Sequence, residues 1–143
     1  MVGTVMSRLC LAAMLSLTPG AARSQVLDEI AKRCQAEMGQ FGAAMVKACV
    51  DQDLTSLRKL NTYQEAHTPI LERCLFQKRA QGYALVQDCV DQDIAALEAM
   101  IAYPEKHLTI IKLCDRQQGQ YGHAVVKACA DQDIAAKEAS NKN

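Results

Sequence analysis

The sequence predicts an all-α protein built from three tandem 40-residue helical hairpins, each stapled by a disulfide. Three observations carry this. The octet Lys47-Ala48-Cys49-Val50-Asp51-Gln52-Asp53-Leu54 returns as Gln87 to Ile94 and again as Lys127 to Ile134, at a 40-residue offset. A fixed period of this length marks a helical array or a bundle made by duplication. Within the unit the apolar period is helical. Val46, Val50, Leu54, Leu57 and Leu60 recur every three or four residues, and Val86, Val90, Ile94, Leu97 and Met100 repeat them. Finally, cysteines sit at the same two places in each copy: Cys34 and Cys49, Cys74 and Cys89, Cys114 and Cys129.

Residues 1–24 read as a signal peptide. Arg8 supplies the positive charge, Leu9 to Leu17 is mostly apolar, and Pro19-Gly20 is expected to break any helix there. Small residues follow, and Ala22-Arg23-Ser24 suits cleavage before Gln25. The apolar run is well short of the roughly 18 residues that a membrane-spanning helix needs. Removing the segment takes away Arg8, Arg23 and no acid, leaving 14 basic and 16 acidic side chains, a net charge of −2. That balance argues against nucleic acid, which selects a basic stripe, and gives no pull toward an anionic bilayer. The expected localisation is exported, periplasmic or secreted. Six cysteines remain, and an even number in an exported chain reads as a disulfide framework.

Residues 25–143 form one expected domain of three units, at about 28–67, 68–107 and 108–143. In unit 1, Asp28 occupies the helix-cap position. In unit 2, Thr68-Pro69 is a good helix start, since threonine caps and proline suits the first helical residue. Residues 61–68 and 103–109 hold the internal prolines and no stripe, so they read as linkers. The middle of each unit is Gly39-Gln40-Phe41-Gly42, Ala80-Gln81-Gly82-Tyr83 or Gly119-Gln120-Tyr121-Gly122. Glycine costs up to about 1 kcal/mol against alanine inside a helix, so a turn is expected here.

The cysteines of each unit lie symmetrically about that turn, where antiparallel helices would bring them face to face. The alternative is three long helices. Ile30, Cys34, Met38, Phe41, Met45 and Cys49 also follow a helical spacing. One unbroken helix would hold the two cysteines about 22 Å apart, too far to bond. Bridges would then join units, for example Cys49 to Cys74. The hairpin pairs all six without remainder and is favoured, although the sequence alone does not select the connectivity. Each bridge would close a loop of about 15 residues and stabilise by about 3 kcal/mol, against a total of roughly 5–15 kcal/mol for a small domain. In unit 3, Lys137 and Ser140 replace the stripe residues Leu57 and Leu60, as a polar terminal unit requires.

Asp51/Asp53, Asp91/Asp93 and Asp131/Asp133 are the most distinctive polar feature. Paired acids suit a divalent cation. On a helix, however, residues two apart point in nearly opposite directions. The structural expectation is an i, i+4 ion pair from Lys47 to Asp51 and from Lys127 to Asp131, with Asp53 placed to hydrogen-bond a neighbouring helix or turn. His67 and His107, in Tyr-x-Glu-x-His segments of the linkers, would bind metal only if stacking brought them together; solvated linker residues are the expectation, with His123 at the surface. There is no Cys-x-x-Cys, nucleophile elbow or phosphate loop. Neither catalytic residues nor a cofactor are expected.

The run Cys49-Val50-Asp51-Gln52-Asp53, with Gly42 and Met45-Val46-Lys47 upstream, resembles segments of uncharacterised exported bacterial cysteine-containing α-helical repeat proteins. The resemblance spans the three units and implies export and an α-helical repeat fold, with no activity attached. The paired-cysteine hairpin is also similar in design to coiled-coil-helix-coiled-coil-helix proteins, but their cysteines stand closer together and no residue role transfers. The expected function is a non-enzymatic protein-binding or scaffold module of the cell envelope, with a protein or peptide partner. The alternative is a divalent-metal-binding or buffering protein that uses the repeated acids with His67 and His107.

Overall fold

The computed structural model describes residues 19–141. Six helices follow one another: α1 (Pro19–Met38), α2 (Ala43–Leu60), α3 (Thr68–Lys78), α4 (Tyr83–Ile101), α5 (Leu108–Gln118) and α6 (His123–Ser140). Short 3-10 turns connect them, and no strand occurs among the described residues. Helices α1 and α2, α3 and α4, and α5 and α6 pack as hairpins, and α2, α4 and α6 lie side by side as a spine. Residues 1–18 of the expected signal peptide lie outside the described residues; residues 19–24 are the first part of α1.

Each hairpin turns at the glycines. A 3-10 turn over Gly39–Phe41, Arg79–Gln81 or Gly119–Tyr121 ends on Gly42, Gly82 or Gly122, whose φ values are 98°, 115° and 112°. A side chain at such a φ would be strained, so these positions need glycine. The turn brings Cys34 to Cys49, Cys74 to Cys89 and Cys114 to Cys129, bonded at Cα separations of 5.7, 5.8 and 5.8 Å. The long-helix alternative is thereby excluded: the helical spacing across residues 38–45 is real in sequence, but the chain reverses inside it.

Three local expectations change. Pro19 opens α1 instead of breaking it, because proline at a first helical position lacks only an N–H that would go unpaired anyway. Asp28 is inside α1 and is not a cap; no proline stands at residue 29, the place Pro69 holds in unit 2, so the helix runs through. Thr68 is the first helical residue of α3, with no side-chain cap, because the 3-10 turn Glu65–His67 leads straight into the helix.

The core is small and aliphatic. Ile30, Cys34, Leu60, Ile70, Cys74, Tyr83, Val86 and Val90 form one buried cluster across units 1 and 2, and Met100, Cys114, Val126 and Ala130 form another across units 2 and 3. Cys34, Cys74 and Cys114 are fully buried, so the bridges are part of the core. Lys137 and Ser140 are exposed at the free end of α6.

Candidate functional site

Polar chemistry in this protein concentrates where one unit meets the next. Helices α4 and α6 begin on Gly82 and Gly122, and glycine there cannot cap a helix with its own side chain. The first backbone N–H groups of the helix still need acceptors. The preceding unit supplies them. Asp53, on α2, accepts from Ala84 N at 3.1 Å through Oδ1 and from Arg33 Nη2 at 2.7 Å through Oδ2. Asp93, on α4, accepts from His123 N at 2.9 Å, from Ala124 N at 3.0 Å and from the Arg73 guanidinium. The helix N-terminus is the positive end of the helix dipole, so the carboxylate suits it in charge as well as in hydrogen bonding.

These are buried carboxylates. Asp53 and Asp93 are 2% and 3% exposed. Each stands between a guanidinium and a helix start, which is what a buried charge requires. The fit is close. A Cβ on Gly82 would lie 2.9 Å from Arg33 Cζ and 3.1 Å from Asp53 Oδ1; on Gly122 it would lie 2.7 Å from Asp93 Oδ1. Arg33 also lies on its own disulfide, with Nη2 3.4 Å from Cys34 Sγ and 3.5 Å from Cys49 Sγ. The guanidinium therefore links the covalent staple of one unit to the helix start of the next.

The first acid of the second and third triplets faces the other way, to the unit before it. Asp91 accepts from Tyr63 Oη at 2.5 Å, Lys59 Nζ at 2.8 Å and Gln87 Nε2 at 3.3 Å. Asp131 accepts from Tyr103 Oη and, at 2.6 Å, from Lys127 Nζ. Asp51 pairs with Lys47, and the place 40 residues before Tyr63 holds Arg23. Burial disfavours the charged Asp91, but the bonds from Lys59, Tyr63 and Gln87 outweigh it and hold this carboxyl below its ordinary range. Bonds from Lys127 and Tyr103 lower Asp131 in the same way. Burial first, then the bond to Asp91, pushes the Tyr63 hydroxyl well above its ordinary value; for Tyr103 the bond to Asp131 comes first.

The Asp-Gln-Asp triplet is thus a two-sided coupling. Its first acid holds the linker tyrosine of the previous unit, and its second caps the helix of the next. The helical geometry that keeps the two acids from sharing an ion is what lets each face a different neighbour. The expected Lys47–Asp51 and Lys127–Asp131 pairs are present. The linkers are less solvated than expected: Tyr63 is half-buried, and His107 is 8% exposed, with Nε2 3.9 Å from Glu138 Oε1. His67 is half-buried, as is His123, whose backbone N–H serves Asp93. Among the described residues, the one group of three potential metal ligands is Cys114, Cys129 and Asp133, and two of these are joined as a disulfide.

Sequence reasoning missed Arg33 and Arg73. Their signal was available: they keep the 40-residue offset and stand 20 residues before Asp53 and Asp93. The same offset leads to Leu113 in unit 3, whose Asp133 caps no helix among the described residues. Asp133 is correspondingly exposed.

The outer surface carries a second repeated feature. Met45, Leu85 and Val125 hold the same place in their units and are 48%, 44% and 39% exposed. Met45 lines the groove between units 1 and 2, together with Arg33, Gln52, Asp53 and Gln81. No helix among the described residues is long and apolar enough to cross a membrane. Comparison with family models, with curated proteins and with solved structures finds no match to this chain.

Proposed function

We propose that the chain is an exported, non-enzymatic scaffold or binding module of the cell envelope that takes a protein or peptide partner. One observation carries the reading. The array presents Met45, Leu85 and Val125, an exposed apolar side chain at the same place in each unit, along its spine. Stacked helical units present extended faces of this kind to partners, and exposed apolar side chains in a row are what an apolar partner surface covers. Export is supported by the N-terminal charge-then-apolar pattern and by three disulfides, since such bonds form and persist in oxidising compartments.

The test is cross-linking capture from an oxidising envelope extract, run beside the triple variant Met45→Ser, Leu85→Ser, Val125→Ser. A specific partner captured by the wild type and lost by the variant supports the reading. Capture that is indifferent to the three substitutions, or no specific partner, overturns it. The metal-binding alternative has less behind it: Asp53 and Asp93 are engaged by arginines and backbone N–H groups, and His67 and His107 join no cluster of three ligand residues among those described.

A further inference from the structure

We propose that the protein associates head to tail with second copies of itself, through a contact that repeats its internal unit junction. The two ends of the array are the two halves of that junction, each without its mate. At the front, α2 starts on Gly42: a Cβ there would meet nothing among the described residues within 4 Å, whereas at Gly82 and Gly122 it would meet arginine and aspartate. Among the described residues, no side chain accepts a hydrogen bond from the N–H groups of Ala43 or Ala44, the equivalents of those that Asp53 and Asp93 serve. At the back, Asp133 is exposed, and it has no hydrogen-bond partner among the described residues. Nothing among the described residues uses this acid, although it matches Asp53 and Asp93 in place.

The flanking residues fit the same pairing. In the groove between units 1 and 2, Arg33 and Gln81 line one wall and the other. The equivalents at the open ends are Leu113 at the back and Phe41 at the front. Leu113 replaces the arginine of units 1 and 2, Phe41 is aromatic like Tyr121 at the junction of units 2 and 3, and both are exposed, at 40% and 64%. The pair that would meet between chains is thus apolar, and water is expelled from it only on association. Asp133 then accepts from Ala43 and Ala44 of the next copy, with the helix dipole in place of the missing arginine as its counter-charge. Lys137 and Ser140 keep the far half of α6 polar, so the contact is confined to the turn end. The internal junctions gain from a covalent linker that holds the units together; this one does not, so it depends on concentration. Such a contact is heterologous and builds rings or open chains. Phe41, Leu113 and Asp133 lie outside the Met45–Leu85–Val125 row, so this inference does not rest on the proposed partner.

Sedimentation velocity of the oxidised full chain, over a wide concentration range, tests it. The wild type is expected to form species that grow with concentration. Asp133→Ala removes the back half of the contact and Phe41→Ser the front half, so each variant alone stays monomeric. Both residues are exposed, and circular dichroism should show wild-type helicity for each. Mixing the two variants restores one complete contact and yields a dimer that grows no further. Leu113→Asp gives an independent loss at the back. A wild type that is monomeric throughout overturns the inference, as do variants that assemble like the wild type or a mixture that stays monomeric.

Discussion

Inside a unit the two helices are joined by a covalent bond; between units they are joined by a carboxylate. The difference follows from the turn. Within a hairpin, Gly42, Gly82 or Gly122 reverses the chain so tightly that two cysteine Cα atoms come within 5.8 Å, and a disulfide fits. Between units the chain travels through a linker, residues 61–67 or 102–107, and the next spine helix has glycine where a capping side chain would be. A carboxylate from the neighbour accepts from the N–H groups at the helix start, one for Asp53 and two for Asp93, while also facing an arginine. One fastening answers to reductant, the other to substitution.

The largest expected break is reduction. Opening all three bridges removes about 9 kcal/mol at about 3 kcal/mol per 15-residue loop, comparable with the whole stability of a small domain, so a thermal melt followed by circular dichroism in excess reductant should show no cooperative transition. Next is Asp93→Ala, which strands Arg73 and uncaps α6; about 3–5 kcal/mol is expected for removing one partner of a buried pair. Asp133→Ala is its control and should leave the melting temperature of the dilute monomer unchanged, since that acid is exposed. If both variants melt alike, the junction is not the fastening described.

Smaller is Tyr63→Phe, which removes one hydrogen bond to Asp91 and should cost about 1 kcal/mol, seen as faster hydrogen exchange in the linker with the disulfides intact. The same contact sets a pH window. The Asp91 carboxyl is depressed when folded, so its contribution is full above the ordinary value of 3.8 and is lost as pH falls through the lower folded value. The Tyr63 hydroxyl is raised, so its contribution is full below 10.0 and is lost as pH rises further. Last comes Lys47→Ala. Its pair with Asp51 is more than half exposed on both sides and is expected to shift the melt by no measurable amount.

Much of this fold was legible because the period was. Three copies at a fixed offset turned each ambiguous residue into a threefold observation, and the symmetry of Cys34 and Cys49 about Gly42 pointed to a hairpin before any coordinates. The Asp-Gln-Asp triplet was visible, and Asp53 was placed to reach a neighbour, but the identity of that neighbour was not. Its partners are a backbone N–H, which has no letter in a sequence, and an arginine 20 residues upstream, well outside any local window. Likewise Tyr63 looked like a linker residue because its partner Asp91 lies 28 residues on. The start of α1 was misread for the opposite reason: Pro19 is both a breaker and a starter, and only the chain after it decides which.

The buried glycines have one more consequence, for the length of the chain. Each unit carries at its front a glycine that leaves room and at its back the acid that fills it. Either half is complete without reference to how many units precede or follow. A gene in which the codons for residues 68–107 occurred twice would therefore encode a seam already furnished with Arg73, Asp93, Gly82 and Ala84 in their places. Arrays of this design can lengthen or shorten by whole units without inventing a contact; the one departure from the pattern is Leu113, which holds the place of Arg33 and Arg73.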